Sequence, residues 1–174
     1  MDKLDKELLI IDISQRLPYG LKCKYSWGEC SICNVIGMMK NIFSDELNMI
    51  IESPSSQSHE CTSVETGGRP ILYPWEAITQ TITIGGDIFI PLVEWAKISW
   101  PNNYPPIKDI KITDFGSVLI STDIEKFFRY VYPSDMATAI DGVQYLNKWM
   151  IDYRGLIHKK LAVSVKEFSE IPYK

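Results

Sequence analysis

Histidine is almost missing from this chain: only two occur in 174 residues, His59 and His158, alongside four cysteines. Neither is tied by spacing to a serine or cysteine, so the sequence offers no ready nucleophile and base pair, and catalysis by imidazole has little to draw on. Positive charge is also short. Eighteen Lys plus Arg against twenty-two Asp plus Glu leave a net charge of −4, which disfavours sequence-independent binding to a nucleic-acid backbone. Long apolar runs are absent as well: stretches such as 88–93 are broken by proline or charge well before the roughly 18 residues a membrane span requires. The opening Met-Asp-Lys-Leu-Asp-Lys-Glu is acidic where a signal peptide is basic, and the run from Leu8 to Ile11 is too short for its apolar region. No Asn-x-Ser/Thr site occurs. A cytoplasmic location is therefore expected, with reduced thiols rather than a disulfide framework. No internal repeat or low-complexity segment is present.

What is there is ordinary globular composition, 45% apolar and 23% charged, in a chain long enough to bury a core without covalent staples. The Ser- and Gly-rich stretch 53–68 reads as an exposed flap or a boundary. It suggests two lobes, 1–66 as a helix plus a small antiparallel sheet and 67–174 as a hairpin-containing α+β lobe, or else one continuous domain.

Residues 3–17 carry Leu4, Leu8 and Ile11 on one face and Leu9, Ile10, Ile13 and Leu17 beside it, a helical pattern stopped by Pro18-Tyr-Gly20. Alternation then predicts strands at 21–25, 30–39 and 47–51. One helical turn is expected at 75–78, and strands at 81–84 and 88–90 flank the hairpin turn Gly85-Gly-Asp87. Periodicity does not decide between strand and helix for 91–98. Strands at 108–112 and 117–120 surround Asp114-Phe-Gly116. Ile124, Phe127, Phe128 and Val131 suggest a helix capped by Thr122 or Asp123. A second one, capped by Ser134 or Asp135, carries Met136, Ile140, Val143, Leu146 and Met150, and a short strand follows at 161–165. The class is α+β, with small antiparallel sheets, an N-terminal helix and C-terminal helices.

Several motifs are weaker than they look. Cys30-Ser-Ile-Cys33, with Cys23, Cys61 and His59, could make a tetrahedral zinc site. The pair lies in a strand-like segment, however, where residues three apart face opposite ways. Buried inert thiols are the preferred reading, and no metal or cofactor is expected. Asp114-Phe-Gly116 lacks every other kinase element, and Gly67-Gly68 and Gly85-Gly86 lack phosphate-loop spacing. The carboxylates are scattered, with no pair that spacing singles out. Between Lys148 and Lys166 the charge turns positive around Trp149 and Tyr153, either a solvated face or a docking patch.

Three blocks carry a resemblance: Arg16-Leu-Pro-Tyr-Gly-Leu-Lys-Cys23; Arg69 to Thr79 running into Ile82–Ile98; and Tyr145-Leu-Asn147 with Asp152-Tyr-Arg-Gly-Leu-Ile157. In about a third of the chain they resemble short uncharacterised proteins of gut Bacteroidetes and their phages. Proteins of that kind often show two histidines where this chain has Trp149 and Met150, so no imidazole role carries over. The resemblance implies no activity, but it implies a phage or mobile-element setting, in which small accessory proteins often act by binding.

The resulting expectation is a non-enzymatic protein that engages a host protein through turn-like Arg, Tyr and Trp, the residue types that dominate binding hot spots. These are Arg16, Tyr19, Arg69, Tyr73, Trp75, Asp152, Tyr153 and Arg154. A second reading is sequestration of a small anion such as a nucleotide by Arg69, Arg154 and Lys159. A third is an enzyme with a carboxylate or metal site. A homo-oligomer is left open.

Overall fold

Asp2 starts the first helix by accepting the Asp5 backbone N–H at 2.7 Å, and α1 runs over Lys3–Arg16. One face, Leu9 and Ile13, is fully buried, each side chain contributing about 1.5–3 kcal/mol by leaving water. A 3-10 turn over Leu17–Tyr19 closes on Gly20, whose φ of 76° needs no Cβ. The structure, a computed structural model, describes residues 1–25, 32–41, 43–44, 46–54, 59–100, 105–123 and 128–173.

Strands β1 (Lys22–Tyr25), β2 (Ile32–Lys40), β3 (Leu47–Glu52), β4 (His59–Ser63) and β5 (Gly68–Leu72) follow, then a 3-10 turn over Trp75–Thr79. Hairpin strands β6 (Ile82–Ile84) and β7 (Asp87–Phe89) lead into helix α2 (Pro91–Ile98). Next come β8 (Ile107–Ile112), β9 (Val118–Thr122), β10 (Phe128–Val131), helices α3 (Pro133–Thr138) and α4 (Ile140–Lys148), and the two-residue β11 (Val163–Ser164). The mixed α+β class is as read from the sequence.

The main sheet has the order β11-β5-β1-β2-β3-β4 and so takes strands from both sides of position 66. Its pairs are antiparallel except β5 with β11, which is parallel. Alternation along β3, where Leu47, Met49 and Ile51 are buried, turns one face onto the core. Gly68 lets the strands approach closely there: a Cβ would come within 2.7 Å of Met49 Cε and Thr62 Cγ2, and those side-chain ends would have to shift. The other sheets are β10-β9-β8 and the β6-β7 hairpin, turned by Gly85 and Gly86 at positive φ.

Three elements differ from the sequence reading, and a fourth, 91–98, settles what periodicity left open. The expected flap 53–68 contains β4, which pairs along its length with β3. Segment 91–98 is helical, with proline at its first position. Of the helix expected to end before Pro133, residues 128–131 form a strand on β9, while 124–127 lie outside the described residues. The final long helix is two, broken where Ala139 adopts φ −78° and ψ 139°.

Tyr173 ties the last described segment to the centre. Its hydroxyl lies between the Ile71 carbonyl, to which it donates, and the Lys22 N–H, which it accepts at 3.2 Å. Its own carbonyl accepts the Gly85 N–H at 2.7 Å, fastening the β6-β7 hairpin to the same place.

Candidate functional site

Two charges sit on the buried side of α1. Asp12 and Arg16 are one helical step of four apart and both fully buried; Arg16 Nε and Nη2 reach the two Asp12 oxygens at 2.7 and 3.0 Å. Arg16 Nη1 donates to the Leu146 carbonyl at 3.3 Å and Nη2 to the Ile151 carbonyl at 2.9 Å, so the guanidinium caps the end of α4. Arg154 adds a second cation, with Nη1 2.9 Å from Asp12 Oδ1 and Nη2 2.6 Å from Gln15 Oε1. The guanidinium carbons of Arg154 and Arg16 lie 4.6 and 5.7 Å from the Tyr153 ring centroid. Burial raises the Tyr153 phenol above its ordinary pKa, and the two arginines oppose that shift.

Gln15 Oε1 gathers the outer rim of this network, accepting also from Asn147 Nδ2 at 3.3 Å and the Tyr153 hydroxyl at 3.4 Å. Beside it an open groove of 490 Å³ runs between the end of α1 and the α3–α4 corner, with walls from Tyr19, Ile140 and Val143 and polar groups from Gln15, Gln144 and Asn147. Ile140 is 84% exposed and Tyr19 40%. Leu4 and Ile11 stand exposed on the same stripe of α1 as Gln15.

Arg16, Tyr19, Tyr153 and Arg154 therefore come together, with Arg16 enclosed beneath the surface and Tyr19 on it. Lys159 is nearby along α1, paired with Asp5 at 2.9 Å. Asp152 is buried and serves the backbone: its oxygens accept the Leu156 and Ile157 N–H groups at 2.8 and 2.7 Å. Its own N–H donates to the Tyr73 carbonyl at 2.8 Å. Tyr73 is buried, and its hydroxyl donates to the Thr83 carbonyl at 2.7 Å. Trp75 lines a 280 Å³ depression with Glu76, Asp152 and His158. Arg69 is apart from Arg16, Arg154 and Lys159, opposite Lys24 on neighbouring strands, in a 280 Å³ depression that also holds Glu65 and Glu167.

The three described cysteines do not form one cluster. Cys23 and Cys33 face each other across β1 and β2 on the buried side, while Cys61 is exposed on β4, with Met39 Sδ 3.7 Å away. Cys30 lies outside the described residues, and among those described no group of three or more His, Cys, Asp or Glu is placed to hold a metal. No described helix is long and apolar enough to cross a membrane.

Sequence reasoning missed Asp12, Gln15 and Asn147 as members of one constellation. A signal existed for the first: a carboxylate and an arginine four residues apart, interleaved with Leu9 and Ile13, put opposite charges on an apolar helix face. For Gln15 and Asn147 no local pattern marks the partner 132 residues away. No family model matches the chain, and no curated protein or solved structure matches it either.

Proposed function

We propose that this chain is a non-enzymatic binding protein of phage or mobile-element type whose groove between α1 and the α3–α4 corner docks a host protein. The observation that carries the reading is the pairing of exposed Ile140 and Tyr19 at the mouth of one groove. Directly behind it lies the ion-paired frame of Asp12, Arg16 and Arg154. Large apolar or aromatic side chains on a rigid support are what an interface needs, because little side-chain ordering remains to be done on association. The phage or mobile-element setting rests on the resemblance of the three sequence blocks. Sequestration of an anion is less favoured: Arg154 and Lys159 already face Asp12 and Asp5, and Arg69 lies in a different depression.

The test is quantitative pull-down from a host lysate with the full chain, its Tyr19→Ala and Ile140→Glu variants, and Phe115→Ser as a control. Phe115 is 96% exposed and is not part of the groove. A partner retained by the parent and the control but lost from both groove variants supports the reading. Equal retention by all four proteins would refute it.

A further inference from the structure

Cys23 and Cys33 stand directly opposite one another in the middle of the main sheet, on β1 and β2, and their side chains are 0% and 1% exposed. The Val35 N–H donates to the Leu21 carbonyl at 2.8 Å, which makes Leu21 and Val35, two places along the same register, a hydrogen-bonded pair. Such pairs recur at every second position of an antiparallel ladder, so Cys23 and Cys33 form the next one. Their side chains leave the sheet on one face, the buried one, from Cα atoms about 5.5 Å apart. That separation lies inside the range a disulfide spans, roughly 4.4–6.8 Å.

The fit at Cβ is less relaxed. Directly opposite residues hold their Cβ atoms about 4.5–5.5 Å apart, the wider value belonging to hydrogen-bonded pairs, whereas a disulfide brings them to about 3.8 Å. Closing the bond therefore draws the two strands together by about 1 Å or more, against a ladder held by β5 on one side and β3 on the other. A bond formed under such strain is more easily reduced than a relaxed one. Cys61 does not compete for either thiol, because β4 is separated from β2 by β3.

We infer that Cys23 and Cys33 are a reversible dithiol–disulfide couple inside the main sheet, closed by a low-molecular-weight disulfide such as oxidised glutathione and reopened by excess glutathione. One cysteine thiolate attacks the glutathione disulfide and expels a glutathione thiolate. The second, deprotonated in turn, attacks the protein sulfur of the mixed disulfide and expels another. The glutathione S–S bond breaks as the Cys23–Cys33 bond forms; the two cysteines are oxidised, and their two protons go to the two reduced glutathiones. Burial of both sulfurs makes exchange in the folded chain wait on local opening, so the bond forms fastest while the sheet assembles. Closed, it ties β1 to β2; it involves no residue of the docking groove and stands independently of that reading.

The experiment refolds the full chain and its Cys30→Ser variant from urea in glutathione buffers of graded composition, so that burial is no obstacle to exchange. Acid quenching, alkylation and trypsin digestion follow. The expected product has lost two hydrogens and joins fragment 23–24 to fragment 25–40 in both proteins. In the parent, fragmentation of the joined peptide places the bond at Cys33 rather than Cys30, independently of the variant. A hundredfold rise in [GSH]²/[GSSG] is expected to carry the couple from about 90% closed to about 90% open. Glutathione adducts alone, a bond to Cys30 or Cys61 in place of this one, or free Cys23 and Cys33 at every composition would overturn the inference. A Cys23–Cys33 bond that survives a large excess of reduced glutathione would overturn it too, as a permanent staple rather than a reversible couple.

Discussion

Arg16 donates through four hydrogen bonds to Asp12 and to the Leu146 and Ile151 carbonyls, and its side chain is wholly buried. Arg16→Met leaves the buried Asp12 with Arg154 alone as counter-charge and removes the donor from the Leu146 and Ile151 carbonyls, so a loss of about 3 kcal/mol is expected in urea denaturation. The double variant Asp12→Leu/Arg16→Met should recover part of that loss, because it removes the buried, now half-paired carboxylate and leaves only the part-exposed Arg154 without its partner. A double variant no more stable than Arg16→Met alone would show that the carbonyl caps, not the ion pair, carry the effect. Asp152 is the second residue of this kind. Asp152→Ala frees the Leu156 and Ile157 N–H groups, with an expected cost of about 1–2 kcal/mol by the same measurement. Both residues were named from the sequence as binding candidates in turn-like positions. Their burial was not legible there, because burial depends on what α4 and the 152–157 loop lay over them.

Helices α3 and α4 follow from the apolar spacing of Met136, Val143, Leu146 and Met150, but the break between them does not. In a continuous helix Ile140 would share their face; the extended backbone of Ala139 turns it out to 84% exposure. Gly142 permits the sharp approach, since a Cβ there would lie 2.1 Å from the Met136 carbonyl oxygen. Gly142→Ala must therefore push backbone apart, and a loss of about 1–3 kcal/mol is expected in thermal or urea melts. An unchanged midpoint would mean that the corner is looser than its contacts imply. The same limit on local reading applies to β4 and β10. His59–Ser63 lies in a polar, turn-rich stretch and becomes a strand by pairing with β3; Phe128–Val131 fits either period and is decided by pairing with β9. The β6-β7 hairpin, by contrast, carries its turn in its own sequence.

For the molecule as a whole, the phenols of Tyr73 and Tyr173 join the β5 region to the β6-β7 hairpin and the last described segment, and burial raises both above their ordinary value of 10.0. The unfolded chain then ionises first. Their contribution to stability is fully present below about pH 10 and is lost as pH rises through the higher folded values. Urea melts from neutral to strongly alkaline pH should show a plateau followed by a steep fall, and Tyr73→Phe with Tyr173→Phe should flatten that fall while lowering the plateau. A fall of equal steepness in the double variant would place the alkaline sensitivity elsewhere. The α+β class, the first helix, the β6-β7 hairpin and the absence of a long apolar helix were all determined by the sequence itself, because each depends on periodicity, turn residues or composition within a short window. Only the tertiary structure decided that β11 joins the main sheet in parallel with β5. It alone sank Arg16 beneath α4 and set Gln15 beside Asn147 to shape the groove. Those contacts join residues more than 90 positions apart, and no local pattern encodes which distant segment will bring the matching donor, acceptor or charge.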